Sequence, residues 1–154
     1  MIDESLRELY QEVILDHGRN PRRFGQVEAA SHEAHGHNPL CGDQVHVSLK
    51  VGANGKIDDV KFDGQGCAIS MASASIMSEL ILGKELDDAR ALADAFYKLA
   101  KGKEAKSNAA PEDLERIEVL SGVSQYPMRV KCATLGWHTF EAAIEDGEKK
   151  TCTE

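Results

Sequence analysis

The chain has 154 residues, enough for one domain, and carries 26 acidic against 18 basic side chains for a formal net charge of −8. A domain of this size buries roughly 70% of the surface its unfolded chain exposes, so a sizeable core is within reach. The acidic balance disfavours nonspecific nucleic-acid binding, and no run is apolar and long enough to cross a membrane. The segment Met1-Ile2-Asp3-Glu4-Ser5 lacks the plan of a signal peptide, so the expected location is cytoplasmic. In that reducing setting the four cysteines are expected as thiols or metal ligands rather than disulfides, and they form no CxxC pair.

Residues 4–17 read as an amphipathic helix, with Leu6, Leu9, Tyr10, Val13, Ile14 and His17 on one face. Gly18, Pro21 and Gly25 end it. Residues 26–37 alternate only weakly and give a first strand. Over 44–51, Val45, Val47, Leu49 and Val51 alternate with Gln44, His46, Ser48 and Lys50, which predicts one buried and one wetter face. Asn54-Gly55 is a hairpin turn into a strand over 56–62, where Ile57 falls out of phase and points to a bulge or a late strand start. Gly64 and Gly66 then break the chain. Residues 68–82 form the most apolar helix, with small residues Ala72 to Ser75 suited to close packing, and Gly83 ends it.

A further helix covers 86–100, followed by a surface loop over 101–111 and a short helix from Pro111 to about Leu120, with proline in its first turn. The last helix starts near Pro127, carries Val130, Ala133, Trp137, Phe140 and Ile144 on its apolar face, and stops at Gly147. Residues 1–147 are therefore expected to form a single domain and 148–154 a flexible tail. Strands followed by helices give α+β, with the sheet covered on one face.

Three cysteines stand where chemistry is favoured. Asn38-Pro39-Leu40-Cys41-Gly42-Asp43 puts a thiol and a carboxylate two residues apart in a turn, and both are metal ligands when deprotonated. Cys67 follows Gly64-Gln65-Gly66 and opens a helix, whose unpaired N–H groups and dipole favour a thiolate. Cys132 lies in the first turns of the last helix, off the face of Val130 and Trp137, between the cations Arg129 and Lys131. Each has a plainer reading, since free cysteine is often a small buried hydrophobe. Together, three thiolates and Asp43 make the tetrahedral set that zinc prefers, with a negative balance that Arg129 and Lys131 would offset. The same ligands suit an iron–sulfur cluster, and spacing does not separate the two. His35 and His37, on one side of a strand, compete weakly as ligands. His46 is expected on the wetter face, His138 toward solvent or a partner, and Cys152 in the charged tail without a role. The Gly64–Gly66 run lacks the rest of a phosphate loop.

Taken together, Asn38-Pro39-Leu40-Cys41-Gly42-Asp43, Gly66-Cys67-Ala68-Ile69-Ser70 and Arg129-Val130-Lys131-Cys132-Ala133-Thr134-Leu135-Gly136-Trp137 resemble the IscU/NifU-N iron–sulfur scaffold family over nearly the whole chain. Within it the chain looks like the SufU branch. Lys131 stands where scaffold IscU proteins typically carry histidine, and a stretch of roughly 101–126 resembles the SufU insertion. The resemblance implies a three-stranded antiparallel sheet with helices on one face, and zinc held by Cys41, Asp43, Cys67 and Cys132. It further implies a sulfurtransferase that takes persulfide sulfur from a SufS-type cysteine desulfurase. In that picture a desulfurase histidine releases Cys41 as the acceptor, and a downstream cluster-assembly complex is a further expected partner. Two alternatives stay open: a scaffold building a [2Fe–2S] cluster on the same four residues, and a non-catalytic adaptor that zinc merely stabilises.

Overall fold

The computed structural model describes residues 4–103, 109–146 and 148–152. Helix α1 (Glu4–Arg19) precedes strands β1 (His32–Asn38), β2 (Asp43–Val51) and β3 (Ile57–Gln65). Helices α2 (Ala68–Ile81), α3 (Leu86–Ala100) and α4 (Pro111–Ile117) follow, then a 3₁₀ turn at Glu118–Gln125, helix α5 (Pro127–Asp146) and strand β4 (Glu148–Cys152). The fold is α+β, with β1 to β3 antiparallel and the helices gathered on one face, as expected from the sequence. Strand β4 is not expected from the sequence. Residues 148–152, read above as tail, pair in parallel with β1 and extend the sheet to the order β3-β2-β1-β4. Glu148-Lys149-Lys150-Thr151-Cys152 has no apolar alternation to announce a strand. The centre of the predicted loop, 104–108, lies outside the described residues.

The hairpin forms at Asn54-Gly55, where Gly55 takes φ 78° and its N–H bonds the Gly52 carbonyl at 3.0 Å. The out-of-phase Ile57 is explained by a register shift at Lys50/Val51, which turns Ile57 fully inward. Strand β3 runs past its predicted end to Gln65, because Gly64 pairs with Val45 instead of breaking the ladder.

Helices α2 and α5 form the centre of the helical layer. Their approach is set by small residues, since a Cβ on Gly136 would stand 3.1 Å from Ala74 Cβ. Ser73 knots the pair: its hydroxyl donates to the Ala133 carbonyl at 2.6 Å and accepts from Trp137 Nε1 at 3.1 Å. Trp137 is fully buried and stacks on Phe96 of α3 with ring centroids 4.8 Å apart. Helix α1 is fastened to α2 by His17 Nδ1 and Ser75 Oγ, 2.7 Å apart, and burial pushes the His17 pKa down. The segment after α1 closes the free edge of β3, with Phe62 N–H donating to the Arg23 carbonyl at 3.1 Å and Gly25 N–H to the Phe62 carbonyl at 2.7 Å.

Candidate metal centre

Parity along the strands decides which side chains reach the helices. In β1, Ala34, Gly36 and Asn38 face α5, and a Cβ on Gly36 would collide with Thr139. Asn38 and Asp43 are paired in register across β1 and β2, and both are fully buried. The turn between them carries Cys41. Cys132 projects from the first turns of α5 and is also fully buried, contrary to the sequence reading of it as off the apolar face. From Cys132 to Trp137 every residue of α5 is buried, so that stretch has no wet side.

These elements bring Cys41, Asp43 and Cys132 together, with their ligand atoms within 4.8 Å of one another. Cys41 Sγ and Cys132 Sγ are 3.4 Å apart. Two sulfurs on one tetrahedral zinc with bonds of about 2.3 Å would stand about 3.8 Å apart, so a slight opening of the pair admits the ion. Cys67 is beside this trio rather than within it. Its backbone N–H donates to Asp43 Oδ1 at 2.9 Å, and its thiol acts on Cys132 electrostatically. The other carboxylate oxygen, Asp43 Oδ2, accepts from Asn38 Nδ2 at 3.3 Å, and the same amide lies 3.6 Å from Cys132 Sγ. Gly66 is a steric requirement, because a Cβ there would run into the Asp43 carboxylate. Gly42 is a conformational one, with φ 70° and open space around it.

Burial pushes the Cys132 thiol well up, and its contacts with Cys41, Asp43 and Cys67 push it further. Arg129, on the exposed first turn of α5, is raised in turn, first by Cys67 and then by Cys132. The two thiols and the carboxylate of the trio, with the Cys67 thiol beside them, are donor types that zinc accepts. Exposure differs across the set: Cys41 and Cys67 are half-buried, Cys132 and Asp43 closed off. Leu40, which precedes Cys41 in the turn, and Tyr126 and Met128, at the start of α5, are exposed apolar side chains.

Residues 9–133 match the family described as the NifU-like N terminal domain. The chain belongs to this family. It is 40% identical over 144 residues to the zinc-dependent sulfurtransferase SufU of Bacillus subtilis, covering 94% of this chain and 95% of the relative. It is 39% identical over 140 residues to the iron–sulfur cluster assembly scaffold protein IscU of Streptococcus pyogenes serotype M1, covering 91% and 85%. The crystal structure of FiSufU from Fervidobacterium islandicum AW-1 superposes with a TM-score of 0.80 at 37% identity, covering 90% of this chain and 98% of that one. The NifU-like chain described here is thus a member of the IscU/SufU group of iron–sulfur cluster assembly proteins.

Other sequence-singled residues fall elsewhere. His35 and His37 alternate with Ala34, Gly36 and Asn38 and so lie on the sheet face away from the thiols. His46 shares that face but is only 7% exposed, where the alternation predicted the wetter side. The stacked ring of His35 covers it, 4.3 Å away between centroids. His138 is half-buried, stacked on Tyr97 at 4.4 Å, rather than solvent-facing, and burial lowers its pKa. Asn38 is the site residue that the sequence reading missed. Its signal was parity: position 38 shares a strand face with 34 and 36.

Proposed function

We propose that this chain is a zinc-dependent sulfurtransferase that accepts persulfide sulfur from a SufS-type cysteine desulfurase on Cys41. The observation that carries the reading is the asymmetry of the donor set. Asp43 and Cys132 are fully buried; Cys41 and Cys67 are both half-buried, but Cys67 opens α2 with its N–H tied to Asp43, whereas Cys41 sits on a turn with open space at Gly42. Asp43, Cys67 and Cys132 are the anchoring ligands, and Cys41 is the ligand free to leave. Zinc bound here would keep the thiols deprotonated at neutral pH and has no redox chemistry of its own.

The chain's own residues supply the rest. The Cys41 thiolate attacks the outer sulfur of the donor persulfide, forming one S–S bond as the donor's S–S bond breaks and its thiolate leaves, with no net oxidation. Asn38 and the Cys67 N–H hold the Asp43 carboxylate in place while Cys41 moves. Arg129, on the exposed first turn of α5, is the cation that Cys67 and Cys132 hold in its charged form. Lys131 before Cys132 and the 101–126 stretch further support this branch over a cluster scaffold.

The test is desulfurase turnover with the zinc-loaded protein and with Cys41→Ala. Stimulation that Cys41→Ala abolishes is the expected result, and turnover indifferent to both proteins would overturn it. The Streptococcus relative favours a second reading, a scaffold for a [2Fe–2S] cluster. Stoichiometric iron and acid-labile sulfide after anaerobic preparation, with no zinc, would shift the conclusion to it.

A further inference from the structure

The face of the sheet turned away from the helices carries a second cluster of ligating side chains. Glu33 and His35 of β1 and His46 of β2 bring their ligand atoms within 4.8 Å of one another. Register accounts for this: His35 sits directly opposite His46, and Glu33 is the next residue on the same side of β1. The two imidazoles stack with centroids 4.3 Å apart and planes 26° apart. His46 is held from both ends, its Nδ1 3.3 Å from Asp63 Oδ2 of β3 and its Nε2 4.0 Å from Glu33 Oε1. A carboxylate on one ring nitrogen that leaves the other aimed at further ligands is the arrangement that fixes the tautomer of metal-bound histidines. His35 is exposed, so the open side of the cluster faces solvent.

We propose that Glu33, His35 and His46 form a second metal site, for a divalent first-row transition ion in the range from iron to zinc, with Asp63 orienting His46. Imidazoles select such ions over magnesium and calcium, and two histidines with one carboxylate leave positions open for water or an exchanging ligand. Ligand atoms on one such ion, at bonds of about 2.1 Å, stand about 3.0 Å apart in octahedral and about 3.4 Å in tetrahedral geometry, so the 4.0 Å between His46 Nε2 and Glu33 Oε1 closes with a side-chain adjustment. The site differs from the thiol centre in both donor chemistry and position. β1 sends Asn38 to the helical side and His35 to the other. A rigid backbone backs it, since all three ligands come from paired strands rather than loops.

The test uses the full chain with its thiol centre loaded with zinc, titrated with cobalt(II). One further equivalent is expected, without a thiolate charge-transfer band and with paramagnetic broadening of the His35 and His46 ring signals. His35→Ala, at an exposed position, should abolish this uptake and leave the zinc content unchanged. Asp63→Asn should weaken it by roughly 10-fold or more. His46 is buried, so His35→Ala at an exposed position and Glu33→Gln at a half-buried one carry the test independently of folding. No further uptake, uptake undiminished in His35→Ala, or uptake accompanied by a thiolate band would overturn the proposal.

Discussion

The thiol centre has two halves built to opposite standards. On one side Asp43 and Cys132 are fully buried, tied to Asn38 and the Cys67 backbone, with Gly66 pressed against the carboxylate. On the other, Cys41 sits on a turn where Gly42 has a positive φ and nothing within 4 Å of a would-be Cβ. A purely structural zinc site keeps all four positions filled by protein ligands and needs none of them to move. Rigidity on one side and looseness on the other are what a site needs if it must keep its metal while one ligand leaves.

The sharpest way to break this comparison is to replace the two cysteines in turn. Cys132→Ala should abolish zinc retention, measured by metal analysis after dialysis, while Cys41→Ala should retain much of its zinc and lose sulfur acceptance. Equal zinc loss in both would dissolve the distinction. Next in size is the pair of glycines. Gly66→Ala forces a methyl group into the Asp43 carboxylate and should cost about 1–3 kcal/mol along with weaker zinc binding. Gly42→Ala meets only the backbone penalty of about 1–2 kcal/mol, with zinc binding retained, both read from denaturant midpoints.

Asn38→Ala removes one donor to a buried carboxylate and should cost roughly 1–3 kcal/mol. The smallest effect sits far from the thiols. Burial lowers the His17 pKa, so the unfolded chain binds a proton near pH 6.5 that the folded chain resists. Stability should therefore fall as pH drops below about 6.5, and His17→Gln should flatten that decline in thermal melts taken across the range.

How much of this was legible depended on burial pattern. The hairpin of β2 and β3 and the helices were plain because apolar residues mark one face of each. Strand β1 was faint because its inner face is Ala34, Gly36 and Asn38: Gly36 makes room for Thr139, and Asn38 serves the site. Strand β4 carries no apolar signal at all. The motifs singled out Cys41, Asp43, Cys67 and Cys132; the structure brings Cys41, Asp43 and Cys132 together with Cys67 beside them, and the depth of each was not legible. Cys132 looked peripheral because helical periodicity assumes a wet face, and α5 has none between Cys132 and Trp137. His46 was misplaced for the same kind of reason. Strand alternation predicts a solvent side, but a stacked His35 and the neighbouring carboxylates close over it.

The most direct test of the central claim is peptide mass spectrometry of the zinc-loaded protein after mixing with a persulfide-charged cysteine desulfurase. One added sulfur is expected on Cys41 and none on Cys67 or Cys132. Sulfur on either anchoring cysteine, or no transferred sulfur while the desulfurase stays charged, would contradict it.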